Sequence, residues 1–448
     1  MKTPHLEIKI ARWRPADAPL RYADPAQPLV WVSERETLIG CGQPALILRA
    51  AGAGRFAELA EKWRQVVQAA KVIAGRELAG GGLHAFGAIA FADDSAAVSQ
   101  LIVPSVILHR AGVEWFITKI SVAGEGERDL ECEPGTISEQ PNDSAAAKKS
   151  EITAPEPIAF GAFSGCSFDV SATGKDALDH LEKARTLIAA LNQNTLQKIV
   201  LARQLHANLH PSSDLRVPVA RLAAKYESCA TFAVAGLIGA SPETLVRTSR
   251  NQLFARVLAG TSARHPENPD LDERTRALLE TSPQIAAEHH YAAASVVDVL
   301  TPLVQEMHHN SEARVIGLPN VWHRATDITA TVPAGTSSLD LLTAMHPTAA
   351  VAGTPTDKAV AVLAEVEGFD RGYYAGAVGW LDAHGNSEWA LALRCAQVAE
   401  TAADGDLSVT ATAGGGLVAG ANAETELAET IAKFAPITDA FRPAENKS

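Results

Sequence analysis

The sequence predicts a mixed α/β protein built around large sheets. Strand-like and helix-like segments follow one another along most of the chain, and no internal repeat with a period of about 20–50 residues is found. Hydrophobic residues make up 47% and charged residues 20% of the 448 residues, as in ordinary globular enzymes. This composition excludes a disordered, collagen-like or disulfide-dense chain.

Each element is predicted from its hydrophobic pattern. Strands are short apolar runs bounded by turn residues, and helices carry apolar residues at three- and four-residue spacing. The predicted strands are Leu29–Val32, Ala45–Leu48, Ala85–Phe91, Leu101–Ile107, Trp115–Ser121, Gln197–Leu205, Ala230–Ile238, Leu245–Thr248, Leu253–Ala259, Ala375–Leu381, Trp389–Ala396 and Leu407–Thr412. The predicted helices are Phe56–Ala70, Lys175–Leu191, Ala286–Met307, Ala359–Glu367 and one that begins near Ala423.

Between Gly124 and Pro157 the composition changes. This segment is polar, acidic and rich in Pro and Ser, and it has almost no periodic hydrophobicity. It therefore predicts a flexible loop over residues 124–157, which separates an N-terminal third from the rest of the chain.

Charge and cysteine usage limit the partners and the location. The net charge of −13, without a basic patch, argues against nucleic acid and anionic membranes as partners. No stretch of about 18 apolar residues is present, and Met1–Pro15 lacks the apolar region of a signal peptide. Five scattered cysteines without CxxC spacing predict a reduced, cytoplasmic protein. They are Cys41, Cys132, Cys166, Cys229 and Cys395.

Lys198 and Glu243 are candidates for acid–base chemistry. Lys198 lies in the apolar run QKIVLARQ, where it is either a solvated edge residue or a desolvated amine able to act as a base. Glu243 lies in GASPETL, which is either a turn or helix start capped by Ser241 or the place of a general acid in a cleft. The local sequence leaves both alternatives open.

Two glutamates near the C-terminus are candidates for binding a metal ion. Glu426 and Glu429 are three residues apart and share one face of the last predicted helix, and Lys433 follows Glu429 by four residues. They form either a solvated ion pair or a magnesium site. Adjacent His289 and His290 cannot share a helical face and do not form HExxH, so a zinc protease is not supported.

Small residues and one arginine are candidates for binding an anion. The corner LAGTSAR (258–264) is either a simple tight turn or a place where the backbone approaches a ligand closely. Three glycines in TAGGGLVAG lie between a predicted strand and helix, where backbone N–H groups are able to bind an anion, although the P-loop lysine is missing. Arg394 lies in an apolar strand and needs a partner such as a substrate carboxylate.

Nine motifs, taken in their order along the chain, resemble the chorismate-utilising enzymes. They are KIVLAR, SPETL, LAGT, EHH, HPTAAVAGTP, FDRGYYAG, WALALR, AGGGLVAG and ETELAETIAK. The resemblance is strong over Gly174–Ala440 and weaker over Trp31–Gly42. It implies one chorismate-utilising domain over residues 1–448 with its core region at 174–440. It also implies the fold of anthranilate synthase component I, a sandwich of two large, mostly antiparallel sheets flanked by helices.

Within this family the chain most resembles isochorismate synthases. HPTAAVAGTP and FDRGYYAG are similar to their patterns, and Ala259 stands where aminodeoxychorismate synthases have a lysine nucleophile. The resemblance implies Mg²⁺-dependent isomerisation of chorismate, with water added at C2 and the C4 hydroxyl lost. Salicylate synthase, anthranilate synthase component I and a catalytically inactive chorismate-binding homologue are the alternatives. Whether the product serves menaquinone or siderophore biosynthesis stays open.

The resemblance also assigns roles to residues. It makes Lys198 the base, which must be neutral when it accepts a proton, and Glu243 the acid. Mg²⁺ is expected at Glu288 and Glu429, with Glu426 acting through water. Substrate contacts are expected at Gly260, Thr261, His346, Tyr374, Arg394, Gly414, Gly415 and Gly416. The chain departs from the family at Gln284, Ile285, Arg324, Ala349 and Gly415. A monomer without an obligatory protein partner is expected.

Overall fold

The computed structural model describes residues 4–76, 78, 80–123, 152–191, 196–310, 312–319, 321–400 and 405–443. Most of the predicted loop, 124–151, lies outside the described residues, and 152–157 forms neither helix nor strand. The helices are α1 Arg55–Ala69, α2 Lys175–Leu191, α3 Arg216–Lys225, α4 Pro269–Thr281, α5 Pro283–Leu300, α6 Ser338–Met345, α7 Thr356–Val366 and α8 Ala423–Phe441.

The strands range from the two residues of β16 to the 15 residues of β3. They are β1 Leu6–Trp13, β2 Leu29–Val32, β3 Glu36–Ala50, β4 Lys71–Ala74, β5 His84–Ile89, β6 Ser99–Ala111, β7 Glu114–Val122, β8 Lys198–Leu209, β9 Ala230–Val234, β10 Leu237–Ser241, β11 Thr244–Ser249, β12 Gln252–Ala263, β13 Gln305–His309, β14 Arg314–Gly317, β15 Val321–Thr331, β16 Gly353–Thr354, β17 Ala377–Asp382, β18 Ser387–Leu391, β19 Cys395–Glu400 and β20 Leu407–Val418.

The strands form two large halves of one hydrogen-bonded network. One half runs β4-β1-β7-β6-β3-β2-β9-β10-β19-β20-β8-β16, and the other leaves β6 and runs β5-β17-β18-β11-β12-β15. Among the described strands only β1 and β4 pair in parallel. The predicted class, large and mostly antiparallel sheets with flanking helices, is confirmed, although the long strands β3 and β6 join the two halves.

Helices cover the sheets and bury three apolar clusters. Helix α1 packs on β3 and β6, α5 on β12 and β15, and α6 on β11, whereas α3 and α8 cover the half that contains β9, β10 and β20. A smaller cluster lies between α2, α7 and β8. No helix in the described part of the chain is long and apolar enough to span a membrane.

Two predicted elements are shorter than the sequence pattern implied. The predicted strand Ala230–Ile238 is the hairpin β9–β10, because Ala235 and Gly236 adopt positive φ values of 55° and 75° and reverse the chain. The predicted helix Ala286–Met307 corresponds to α5, which ends at Leu300. Pro302 follows, and its ring and missing N–H do not allow the helix to continue.

Two further corrections bear directly on the candidate site. The predicted strand Trp389–Ala396 is divided into β18 and β19, and Arg394 lies in the break with a φ of 50°. The glycines Gly414, Gly415 and Gly416 lie inside β20 and pair with β8, so they are not the predicted loop between a strand and a helix. The expectation of a free anion-binding loop at these glycines is therefore wrong.

Candidate active site

A small cavity lies where β8, β12 and β20 meet α8 and the break between β18 and β19. Its volume is about 50 Å³. Pockets for organic ligands typically enclose about 300–1,000 Å³, so a ring-sized ligand requires the walls to move apart. Seven predicted site residues line this cavity, namely Glu243, Gly260, Thr261, Tyr374, Arg394, Gly414 and Gly416.

Glu243 supplies a buried carboxyl group to the cavity. It lies in the break between β10 and β11, and only 5% of the residue is exposed. The Leu258 N–H donates to Oε1 at 3.4 Å, and the Leu391 N–H donates to the backbone carbonyl at 3.1 Å. Burial raises the pKa of Glu243 to about 7, although the Leu258 N–H and the charge of Lys198 act in the opposite direction. This carboxyl group therefore holds a proton near neutral pH.

Lys198 is the first residue of β8 and is buried, with 1% exposed. It pairs across the sheet with Thr354 and Val418, so it is not the solvated edge residue that a strand lysine usually is. Lys198 does not line the cavity, but its charged form lowers the pKa values of both Glu243 and His289. The amine and the Glu243 carboxyl therefore interact electrostatically.

A hydrogen-bonded chain connects Arg394, His323 and Thr261. Arg394 Nη2 lies 3.2 Å from His323 Nε2, and His323 Nδ1 lies 3.1 Å from Thr261 Oγ1. A guanidinium group only donates, so Nε2 accepts and Nδ1 carries the proton that it donates to Thr261. Burial and the charges of Arg394 and Lys433 hold the pKa of His323 well below its usual value. Because the Thr261 hydroxyl oxygen accepts this hydrogen bond, its own proton is available to donate to a ligand.

Lys433 is a second cation in the cavity wall. Its Nζ forms an ion pair with Glu429 and donates to the Gly414 carbonyl at 2.9 Å. From the sequence, Lys433 was expected only as a partner of Glu429, and His323 was not predicted as a site residue. His323 reaches the site because β12 and β15 pair Thr261 with His323. That pairing joins residues far apart in the sequence, and no local signal indicates it.

Close packing explains the small residues of the wall. Gly260 has a φ of +80°, and a Cβ there would lie 2.5 Å from Ile285 Cγ2. A Cβ on Gly414 would lie 3.2 Å from the hydroxyl oxygen of Tyr374, whose pKa is raised by burial. Glycine at position 260 therefore lets α5 pack closely against β12, and glycine at position 414 leaves room beside the Tyr374 hydroxyl group in the cavity.

Two predicted substrate contacts do not line the cavity. His346 packs against the rings of Phe56 and Phe91, and its Nε2 donates to the Ala375 carbonyl at 3.1 Å. Burial lowers its pKa to about 4, so the ring is neutral. Gly415 faces α8, since a Cβ there would lie 3.2 Å from Glu426 Oε2. Both residues support the site from behind its wall.

The predicted metal ligands lie on two helices. Glu426 and Glu429 share one face of α8 next to the glycines of β20, and Glu429 pairs with Lys433. Glu288 is on α5, but its side chain lies outside the described residues. Among the described residues no group of three His, Cys, Asp or Glu side chains is arranged to bind a metal ion.

Comparison with known proteins identifies the family. A family model described as chorismate binding enzyme matches residues 9–442. The chain belongs to the chorismate binding enzyme family. The match is wider than the 174–440 region in which the sequence resemblance was strong, and it includes the N-terminal third.

Curated relatives in this family bear the name isochorismate synthase. The chain is 37% identical over 278 residues to a putative isochorismate synthase MenF of Mycobacterium tuberculosis, covering 59% of this chain and 73% of the relative. It is 35% identical over 259 residues to isochorismate synthase DhbC of Bacillus subtilis, covering 55% and 63%.

Solved structures show the same fold over nearly the whole chain. A putative 2,3-dihydroxybenzoate-specific isochorismate synthase from Bacillus anthracis superposes with a TM-score of 0.70 and 26% identity, covering 94% of this chain and 98% of the other. Anthranilate synthase component I from Streptococcus pneumoniae superposes with a TM-score of 0.62 at 19% identity, covering 91% and 93%. The latter likeness concerns the fold alone.

Proposed function

We propose that this enzyme is an isochorismate synthase, an isomerase that converts chorismate to isochorismate with Mg²⁺ as cofactor. The observation that carries the proposal is the buried Glu243 carboxyl group, which holds a proton near pH 7 in a cavity that Arg394 and Lys433 also line. The names of the relatives support the same activity.

The reaction needs a base for the incoming water and an acid for the leaving hydroxyl group. In the proposed mechanism the neutral amine of Lys198 takes a proton from the water that adds at C2. The ring double bonds shift, and Glu243 gives its proton to the C4 hydroxyl, which leaves as water. Lys198 is then charged and Glu243 ionised, and a return transfer of one proton between them restores the starting state.

The cavity wall supplies positive charge and donors for a dicarboxylate. Arg394 presents a guanidinium group whose orientation is fixed by His323, and Lys433 adds an ammonium group. The Thr261 hydroxyl is free to donate, because it already accepts from His323. In a chain with a net charge of −13, this local excess of donors is what an anionic substrate requires.

The carboxylates of α8 are suitable ligands for Mg²⁺. Oxygen donors from one or two carboxylates are what this ion uses when waters and substrate fill its other positions. Glu426 and Glu429 meet that requirement on the face of α8 that carries Lys433, a residue of the cavity wall, and Glu288 on α5 is proposed as the further ligand. When bound, Mg²⁺ would neutralise a substrate carboxylate.

Several details stay predictions. Relatives include proteins named for menaquinone and for vibriobactin biosynthesis, so the use of the product is open for this chain. The cytoplasmic location and the monomeric state are proposed from the sequence alone.

Product analysis tests the proposal. The purified chain is incubated with chorismate and Mg²⁺, with and without ammonium, beside Lys198→Ala and a control, Lys225→Ala, on the exposed side of α3. Isochorismate as the sole product, lost in Lys198→Ala but kept in Lys225→Ala, is expected. Salicylate with pyruvate, or ammonium-dependent anthranilate, would contradict the proposed activity. An inactive chain that still binds chorismate would indicate a binding homologue.

A further inference from the structure

A second cavity, of about 800 Å³, lies at the far end of strands that reach the candidate active site. It is bounded by the turns that join β11 to β12 and β17 to β18. Strand β11 begins next to Glu243 and ends at Ser249 in this cavity, and a strand of this length spans about 20 Å. No described residue lines both cavities, so the second cavity is a separate place on the molecule.

Three guanidinium groups in this lining have unused hydrogen-bond donors. Within the described part of the chain, the side chains of Arg35, Arg247 and Arg250 make no ion pair and no hydrogen bond. Arg247 is half-buried and stacks on Phe254, with Cζ 4.3 Å from the ring centroid. Burial and the neighbouring charge of Arg35 lower the pKa of Arg247. The charge of Glu388 acts in the opposite direction on Arg247, so what the three groups share is unused hydrogen-bond donors.

Most acidic groups of the same lining are engaged by other partners. Glu388 accepts hydrogen bonds from an indole N–H and a serine hydroxyl at 3.0 and 2.9 Å. Glu36 lies 2.7 Å from His109 Nε2, and Asp382 accepts three hydrogen bonds within its own turn. Only Glu34, exposed at the rim, has no such partner among the described lining residues. These hydrogen bonds do not remove the charge of the carboxylates, but they leave the three guanidinium groups open to a ligand.

The floor of the cavity contains a hydrogen-bond donor without an acceptor. Trp380 is 4% exposed, and its indole Nε1 has no partner in the described structure. It packs against the ring of His84, whose pKa is lowered to about 3 by burial, so the neighbouring imidazole is neutral. Buried donors are normally paired, and an acceptor atom on a ligand would satisfy this one.

We propose that this second cavity binds a small organic oxyanion, a carboxylate or a phosphate ester. The anionic group would bind Arg247 and Arg250, and an acceptor atom would reach the Trp380 N–H. The planar guanidinium fork matches both carboxylate and phosphate geometry. The volume lies in the range of about 300–1,000 Å³ typical of pockets for organic ligands, which favours a molecule over a bare ion.

Calorimetry on the full chain tests this proposal with three probes: phenyl phosphate, benzoate and inorganic phosphate. At least one organic anion should bind with a Kd of about 1 mM or tighter, and more tightly than inorganic phosphate. Arg247→Gln and the exposed Arg250→Gln should each weaken binding about tenfold. Arg185→Gln, an exposed arginine of α2 outside the cavity, is the matched control and should bind as the unchanged chain does.

Which organic probe binds more tightly distinguishes a carboxylate ligand from a phosphate ester. The proposal is overturned if neither organic anion binds at about 10 mM, or if inorganic phosphate binds equally well. It is also overturned if Arg250→Gln and Arg247→Gln leave the affinity unchanged. Loss of binding in Arg394→Gln alone would place the anion in the candidate active site and refute the second site.

Discussion

Replacement of Glu243 by glutamine should make the protein more stable at neutral and alkaline pH. Burial raises the pKa of this carboxyl group from 4.5 to about 7 in the folded chain. At about 1.4 kcal/mol for each pKa unit, keeping an ionised carboxylate there costs the folded state ~3 kcal/mol relative to the unfolded state. Glutamine has nearly the same shape and cannot ionise, so Glu243→Gln removes that cost.

The sign of this effect depends on pH. Between pH 4.5 and about 7 the folded chain binds more protons than the unfolded chain, so the stability of the unchanged protein falls as pH rises. Below that window the carboxyl group is protonated in both the folded and the unfolded state, so it adds no pH dependence to the free energy of unfolding. The free energy of unfolding of Glu243→Gln, relative to the unchanged chain, should therefore rise by ~3 kcal/mol between about pH 4.5 and pH 8.

Urea denaturation at several pH values measures this difference. Glu424→Gln is the control, because Glu424 is exposed on α8 and its pKa is lowered by the hydrogen bond from Arg185. The control should show only a small change, and in the opposite direction. A stability difference for Glu243→Gln that is independent of pH, or that shrinks as pH rises, would refute the argument from burial.

Four further outcomes are expected. The value of kcat/KM should fall above about pH 7, where Glu243 loses its proton, and a rate that stays flat to pH 9 would contradict its role as the acid. Thr261→Val should raise KM about tenfold, because it removes the hydroxyl donor, and Thr261→Ser should not. Nitrogen-15 NMR should show His323 protonated at Nδ1, and a proton at Nε2 would contradict the hydrogen-bonded chain of Arg394, His323 and Thr261. Glu429→Gln should weaken Mg²⁺ binding about tenfold or more by calorimetry, and unchanged affinity would exclude Glu429 as a ligand.

Elements with a clear local pattern were predictable from the sequence. The apolar stripe of α2 gave both ends of the helix, Lys175 and Leu191, because helical spacing continues unbroken between them. Breaks in strands were not predictable, because they depend on single residues with positive φ. Ala235 and Arg394 are not glycines, and such residues give no local sign of a left-handed conformation.

The sequence motifs predicted which residues belong to the candidate site but not how those residues are arranged in space. Glu243 and Lys198 are buried and coupled, and neither property follows from the local sequence, because a lysine in a strand is usually solvated. Sheet pairing decides which distant residues meet, and it brings His323 to Thr261. Hydrophobic periodicity indicates that strands exist but not which strands are neighbours.

The break at Arg394 has a consequence for how this protein can evolve. A residue other than glycine with a φ of 50° has a conformational cost of about 1 kcal/mol or more, which glycine would not have. Selection for thermal tolerance alone would therefore favour glycine at this position, and the guanidinium group in the cavity wall would be lost. The arginine at position 394 therefore lowers the stability of the folded chain and in return places a guanidinium group in the cavity wall.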